Sequence, residues 1–449
     1  MKRILVFAAV IALLPVLAVA ESPSLVSEKK FDFGGKNDQP TGICVDQQNN
    51  FLVNGLRDLS NSSLTGASPS IGKYSNNGTM VWNIVDTTKA ATSIQNQMAV
   101  LANGNIFQTF DGAIQAFSYL KKLGPDGNEI WRKKIDGITY LANWGDTLIA
   151  IVQKTSTVRL LDEDGNVLRS FPLGLYFDGY IAPAVRGNFL YVSGVSGEGA
   201  ILAKFYLPTG EQKWLATVSK MVNNLCAADD DGNVYLGGSR ITADTLGIMS
   251  HFIAKFDKDG NIVWQQQWFS RGTYETNYEN NSQAIAASSA KNAVIVGGTF
   301  QKGNIHYGYR SAFLKEFSAS SGEPIWEKRW DYEPTAVISG IRGIRFDKND
   351  DVVALGNSYT NAGGNPPNVC YLQKYEIDKV LDAVREWKDL TPNDFRLSQN
   401  YPNPFNPRTT IEFSLPKRST VKITVMNLLG QTIETLLAED LLAGVHRTE

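Results

Sequence analysis

A hairpin pattern repeats along most of this chain, and no other feature limits its fold so tightly. Its copies are KYSNNGTMVW (73–82), KLGPDGNEIW (122–131), KFYLPTGEQKW (204–214), KFDKDGNIVW (255–264) and KEFSASSGEPIW (315–326), with a degenerate copy, LLDEDGNVLR, at 160–169. Each reads as an apolar strand opened by Lys or Leu, a turn carrying Gly, and a second strand with Trp four residues after that Gly. Arg169 takes the Trp place in the degenerate copy. The Gly supplies the positive φ of a tight hairpin, which accounts for Asn77-Gly78, Asp126-Gly127, Asp164-Gly165 and Asp259-Gly260.

Upstream of each hairpin stands a second recurring segment, strand, polar turn, strand. Its seven copies are TGICVDQQNNFLVNG (41–55), NQMAVLANGNIFQTF (96–110), ITYLANWGDTLIAIV (138–152), YIAPAVRGNFLYVSG (180–194), NLCAADDDGNVYLGG (224–238), QAIAASSAKNAVIVGG (283–298) and IRGIRFDKNDDVVALG (341–356). Two hairpins per unit give four strands in about 50 residues, the period of a propeller blade. The seventh unit has a third strand, VCYLQKYEI (369–377), and no Gly turn after it, whereas VSEKKFDF (26–33) reads like IWEKRWDY (325–332), the fourth strand of unit six. The expectation is an all-β, seven-bladed β-propeller over 21–380, its last blade completed and its ring closed by the N-terminal strand.

The chain has 449 residues, 43% of them hydrophobic, enough for a large core. Lys plus Arg number 43 against 45 Asp plus Glu, with mixed runs, so no basic surface for nucleic acid is offered. Cys44, Cys226 and Cys370 stand far apart in apolar, strand-like runs and read as buried small hydrophobes rather than a zinc site or disulfide framework. Lys2 and Arg3, the apolar run from Ile4 to Leu14, and Ala18-Val19-Ala20 before Glu21 have the three parts of a secretory signal peptide cleaved after Ala20, within an A-x-A site set by Ala18 and Ala20. The run is too short and too broken for an anchor, and no later stretch approaches a membrane span.

The last segment reads TPNDFRLSQNYPNPFNPRTTIEFSLPKRSTVKITVMNLLGQTIETLLAEDLLAGVH. Asn400, Tyr401, Pro402, Asn403, Pro404, Phe405, Asn406 and Pro407, followed by Asn427-Leu428-Leu429-Gly430-Gln431 and Ala443-Gly444-x-His446, carry a close resemblance to the type A C-terminal sorting domain of the type IX secretion system of Bacteroidota and neighbouring phyla. Read physically, the three prolines fix an extended lead-in that neither a helix nor a central strand accepts. The resemblance implies a 381–395 linker, a small β-sandwich sorting domain at 396–449, export to the outer surface or medium, and the type IX machinery as partner. Family members continue with a Trp-Asp-Gly segment and a Ser-Gly-Val-Tyr strand, so the expectation is a fragment of a longer product.

The spaced Trp82, Trp131, Trp214, Trp264 and Trp326 resemble those of quinoprotein-like repeat propellers, whose Trp packs between blades. Asp257, Asp259 and Asn261 resemble the start of a calcium loop, but Trp268 stands where its bidentate Glu belongs, so a plain turn is the reading, with no metal and no cofactor. Aligning the units puts Thr41, Asn96, Gly137, Tyr180, Asn224, Gln283 and Arg342 near the channel mouth, where each inner strand begins. This ring is polar with one cation; Asn96, Asn224, Gln283 and Arg342 are the candidate ligand-binding residues. His251 and His306 form no nucleophile pairing, and the vicinal Cys pair of quinoprotein alcohol dehydrogenases is missing. The function expected is therefore a secreted or surface, non-catalytic propeller that binds a glycan or protein. The alternative is a secreted enzyme, a quinoprotein-like dehydrogenase or a polysaccharide-active propeller.

Overall fold

The structure is a computed structural model. It describes residues 23–35, 38–57, 67–87, 97–111, 117–136, 139–178, 181–197, 199–241, 249–268, 281–301, 310–332, 336–360, 369–378, 396–397, 411–415, 419–426, 432–441 and 444–448. The chain divides into two compact units, Met1–Val380 and Leu381–Glu449. The signal-peptide reading, with Ala18 and Ala20, lies outside the described residues, as do 400–407 and Gly430.

Strand β1 (Ser24–Phe31) is followed by four strands of a first sheet, β2 (Gln39–Val45), β3 (Phe51–Arg57), β4 (Ser68–Tyr74) and β5 (Met80–Val85). The second sheet holds β6 (Gln97–Val100), β7 (Ile106–Asp111), β8 (Phe117–Leu123) and β9 (Glu129–Asp136). The third holds β10 (Thr139–Trp144), β11 (Thr147–Val152), β12 (Thr157–Leu161) and β13 (Val167–Pro172). The fourth is β14 (Ile181–Arg186), β15 (Phe189–Ser196), β16 (Gly199–Tyr206) and β17 (Glu211–Ser219). The fifth is β18 (Leu225–Ala228), β19 (Val234–Ile241), β20 (Met249–Phe256) and β21 (Ile262–Trp268). Then come β22 (Asn281–Ser288), β23 (Ala293–Gln301), β24 (Arg310–Ser318), β25 (Pro324–Trp330), β26 (Ala336–Phe346), β27 (Val352–Thr360) and β28 (Val369–Glu376), which with β1 form one eight-stranded sheet.

This inventory corrects the expected blade count. The propeller has five discrete four-stranded blades rather than seven, and the last two repeat units run together in the eight-stranded sheet. The cause is local. Strand β26, at 11 residues, reaches back far enough to set Ile338 beside Arg310 of β24 in a parallel bridge, so two antiparallel sets join at one point. β1 pairs antiparallel with β28, Ser24 opposite Glu376 through Phe31 opposite Cys370. The first strands of successive repeats are neighbours from β2 through β6, β10, β14, β18, β22 and β26 back to β2, so the sheets form a ring.

Apolar side chains that alternate along each strand meet between sheets. Ile149, Ile151 and Leu160 of the third sheet join Leu190, Val192 and Phe205 of the fourth, and Phe51, Val53 and Tyr74 of the first join Val353, Leu355 and Leu372 of the eight-stranded sheet. Each such side chain removed from water contributes about 1.5–3 kcal/mol before conformational entropy is charged. The repeated Trp residues dock sheet on sheet: the indole N–H of Trp82, Trp131 and Trp214 donates to the carbonyls of Pro125, Glu163 and Lys258 in the next sheet's turn, at 3.4, 3.2 and 2.9 Å. Glycine is required in that turn twice over. Gly260 has φ +87°, and a Cβ there would stand 2.8 Å from Trp214.

In the second unit, β29 (Arg396–Leu397), β30 (Ile411–Leu415) and β33 (Gly444–Thr448) form a three-stranded sheet, and β31 (Ser419–Met426) pairs with β32 (Thr432–Leu441). Gly444 pairs with Leu415 at the start of β33, and Phe413 and Leu415 are buried. Among the described residues no helix is long and apolar enough to cross a membrane.

Candidate functional site

Three of the seven residues that the sequence places near the channel mouth share one structural peculiarity. In β2 the ladder passes from Pro40 to Gly42 against consecutive partners, in β22 from Ser282 to Ala284, and in β26 from Ile341 to Gly343. The skipped residues are Thr41, Gln283 and Arg342. Each is therefore a bulge residue on the first strand of its repeat, released from the ladder so that its side chain can be re-aimed. The sequence shows the polar residue but not the bulge, because a bulge is visible only against the partner strand's register.

Gln283 reaches across to the neighbouring first strand: its Oε1 lies 3.6 Å from where a Cβ on Gly340 of β26 would be. That buried oxygen accepts no hydrogen bond among the described residues. Arg342, two positions further along β26, donates from Nε to Asn357 Oδ1 at 2.9 Å. Burial, reinforced by the neighbouring Arg310 cation, pushes the Arg342 guanidinium down to about 10. Thr41 Oγ1 donates to the Asn54 carbonyl at 3.3 Å. Asn224 is buried and donates from Nδ2 to Ser193 Oγ of the fourth sheet at 2.9 Å, so its amide ties two blades together. Asn96, Gly137 and Tyr180 lie outside the described residues. The structure thus places Gln283 and Arg342 on neighbouring first strands, with Arg310, which sequence alignment did not single out, close enough to act on the Arg342 charge.

His251 is buried in the fifth sheet, its Nδ1 2.9 Å from Ser282 Oγ and its ring stacked on Trp268 at 5.2 Å. Burial pushes it down to about 3, with the Arg329 and Lys315 cations adding to the effect, so it stays neutral and serves packing. His306 lies outside the described residues. The Asp-x-Asp-Gly-Asn turn closes on itself: Asp257 Oδ1 accepts the backbone N–H of Asp259 and of Asn261, both at 2.9 Å. Among the described residues no group of three potential metal ligands converges. Cys44, Cys226 and Cys370 are unpaired thiols, raised by burial.

Residues 399–441 match the family described as secretion system C-terminal sorting domain. Comparison with curated proteins finds no match. Among solved structures, U3-55K is similar with a TM-score of 0.52 and 9% identity, covering 79% of this chain and all of that one. Hydrazine synthase of Kuenenia stuttgartiensis is similar with a TM-score of 0.52 and 8% identity, covering 74% of this chain and 97% of that one. At such identity the likeness is one of fold alone. A β-propeller joined to a type IX secretion sorting domain is a protein exported to the cell surface or secreted.

Proposed function

We propose that the exported propeller is a non-catalytic binding module that takes a polar, anionic ligand beside β22 and β26. The observation that carries this is the pair Gln283 and Arg342, bulge residues on adjacent first strands, with Arg310 adding a second positive charge. A guanidinium that is partly desolvated next to another cation gains most from an anion that accepts its N–H groups in a bidentate fashion. Gln283 adds an amide that can orient a carboxylate or a carbonyl. Such groups position a ligand well and transfer protons poorly, which separates this reading from an enzyme. A carboxylated oligosaccharide and an acidic peptide are the ligand classes that fit.

Titration calorimetry of the full chain with galacturonate oligomers and with Asp/Glu-rich peptides tests the reading. One class should bind, and Arg342→Ala should weaken it about 10- to 100-fold, the loss of a charge-assisted hydrogen bond. Equal binding by Arg342→Ala, or turnover of a glycan or a quinone-coupled alcohol by the purified protein, overturns it.

A further inference from the structure

The fourth repeat breaks the pattern of its siblings at one place. Four repeats share a cross-strand Lys–Trp pair, Lys73 opposite Trp82, Lys122 opposite Trp131, Lys204 opposite Trp214 and Lys255 opposite Trp264, which sets them in one register. Two residues beyond the Lys, and two before its partner on the other side, the first, second and fifth repeats hold Ser75 with Asn50, Gly124 with Asn105, and Asp257 with Asn233. These are small or polar turn residues. The fourth repeat instead extends its ladder and pairs Tyr206 with Phe189, ring centroids 5.5 Å apart. Both rings are half-buried rather than covered.

This aromatic pair lies in a groove of about 1030 Å³ between the fourth and fifth sheets. The groove is built from the turns after β14, β18 and β20, so by strand direction it belongs to the end of the sheets away from where their first strands begin. Trp214 extends the aromatic surface. Around it the formal charges balance, Arg186, Lys204, Lys213 and Lys258 against Asp230, Asp231, Asp259 and the adjoining Glu211: Arg186 pairs with Asp230 at 3.2 Å and Lys213 with Glu211 at 2.7 Å, while Lys204 donates to the Lys258 carbonyl at 2.9 Å. The carboxylates of Asp231 and Asp259 complete the lining.

We infer that this groove binds a neutral oligosaccharide. Aromatic rings offer flat apolar faces and edges suited to the C–H faces of pyranose rings, and the carboxylates and ammonium groups at the rim accept from and donate to ring hydroxyls. Balanced charges give the groove no net charge that would select an anion or a cation, which distinguishes it from the Arg342 site. The cost that the fourth repeat accepts, two half-exposed rings where turn residues would serve, is of the kind that marks a binding surface.

The test uses the full chain with cellohexaose, laminarihexaose, xylohexaose and mannohexaose, followed by calorimetry and ligand-observed NMR. The variant carrying Phe189→Asn and Tyr206→Ser restores residues that the first repeat tolerates at the same positions, and Lys213→Ala removes an exposed rim ammonium that lies 5.5 Å from the Tyr206 ring centre while leaving both rings in the chain. At least one neutral hexaose should bind. Both variants should weaken it, the aromatic one about tenfold or more, while Arg342→Ala leaves it unchanged. Absence of binding by every neutral hexaose, or unchanged binding by both variants, overturns the inference, and so does loss of that binding in Arg342→Ala.

Discussion

Lys255 and Trp264, opposite each other in the fifth sheet, share one acceptor, the carbonyl oxygen of Ala319 in the turn of the eight-stranded sheet, at 2.8 and 3.1 Å. A Cβ on Gly322 in that turn would stand 2.5 Å from the indole, so the turn sits directly on the ring. One sheet is thereby fastened to the next by a cation, a ring and two hydrogen bonds. Trp264→Phe keeps most of the ring contact and removes one donor, leaving a carbonyl that Lys255 still serves. It should cost about 1 kcal/mol, whereas Trp264→Ala should cost about 3–5 kcal/mol, both read by chemical denaturation. No loss in Trp264→Phe would show that the indole N–H carries no part of the joint, and equal losses in the two variants would show that the ring contact carries none.

Glu316 occupies the place of that lysine in the next repeat. The sequence aligns Lys315 with Lys255, but the ladder puts Glu316 opposite Trp326, and Lys315 pairs with Glu327 at 2.9 Å instead. Glu316 is 1% exposed, with one carboxyl oxygen lacking a hydrogen-bond partner among the described residues. Burial pushes its carboxyl up to about 7, with Asp378 adding to the rise. The folded state therefore holds a proton that the unfolded chain releases above its ordinary value near 4.5, so stability falls as pH rises from there to about 7 and stays lower above it. Glu316→Gln should match the parent near pH 4.5 and exceed it at pH 8 by a few kcal/mol. A constant difference between the two melting curves across that range would refute this.

His251 produces the opposite slope. Its folded value near 3 lies below the ordinary 6.5, so the unfolded chain takes up a proton that the folded chain refuses, and stability falls as pH drops through that window by up to about 1.4 kcal/mol per unit. His251→Gln should flatten that part of the acid-denaturation profile, with the comparison made against the Glu316→Gln background to separate the two groups.

Strand content and the order of hairpins were legible because turn glycines and alternating apolar residues act locally, as Asp126-Gly127 before Trp131 shows. The merged sheet was not, because it hangs on the reach of β26 to one bridge, Ile338 beside Arg310, between segments that look like any other repeat. At the candidate site, Arg342 and Gln283 were legible as polar residues of inner strands, although Arg342 lies well inside β26 (Ala336–Phe346) rather than at its start. Arg310 was not, since it belongs to a third strand whose ladder is linked to β26 by that one bridge. Nor was the tie of Asn224 to Ser193, which depends on the spacing between two sheets rather than on either sequence.

Asp86 follows the last strand of the first sheet and accepts from Lys121 at 2.9 Å and from Arg132 at 2.7 Å, both in the second sheet. Lys121 is 2% exposed, and its desolvation lowers it from the ordinary ammonium range although Asp86 opposes the shift. Removing the carboxylate would strand a buried ammonium, a more costly event than the pair is worth as a contact. Asp86→Ala should destabilise the propeller by about 3–5 kcal/mol, and Lys121→Met in addition should recover a large part of that loss. No recovery in the double variant would show that the cost lies elsewhere.

The N-terminal strand joins the two ends of the propeller unit. β1 covers the edge of β28, with Gln373 Nε2 donating to Glu28 Oε2 at 2.6 Å. Just beyond it, Phe33 is 1% exposed, meets Phe31 edge to face at 5.7 Å, and lies against Gly55 of the first sheet so closely that no Cβ would fit there. Phe31 in turn meets Tyr74 of the first sheet at 5.1 Å. Residues 24–33 therefore bind β28 of the eight-stranded sheet through backbone and the first sheet through rings. Deleting 21–35 should expose the β28 edge and the first-sheet apolar surface together, and lower the single thermal transition of the whole propeller rather than add a second, weaker one. Phe33→Ala, which leaves the β1 ladder intact, should cost about 3–5 kcal/mol through the cavity it opens. Unchanged melting of the deletion variant would mean that the ring is held without its N-terminal strand.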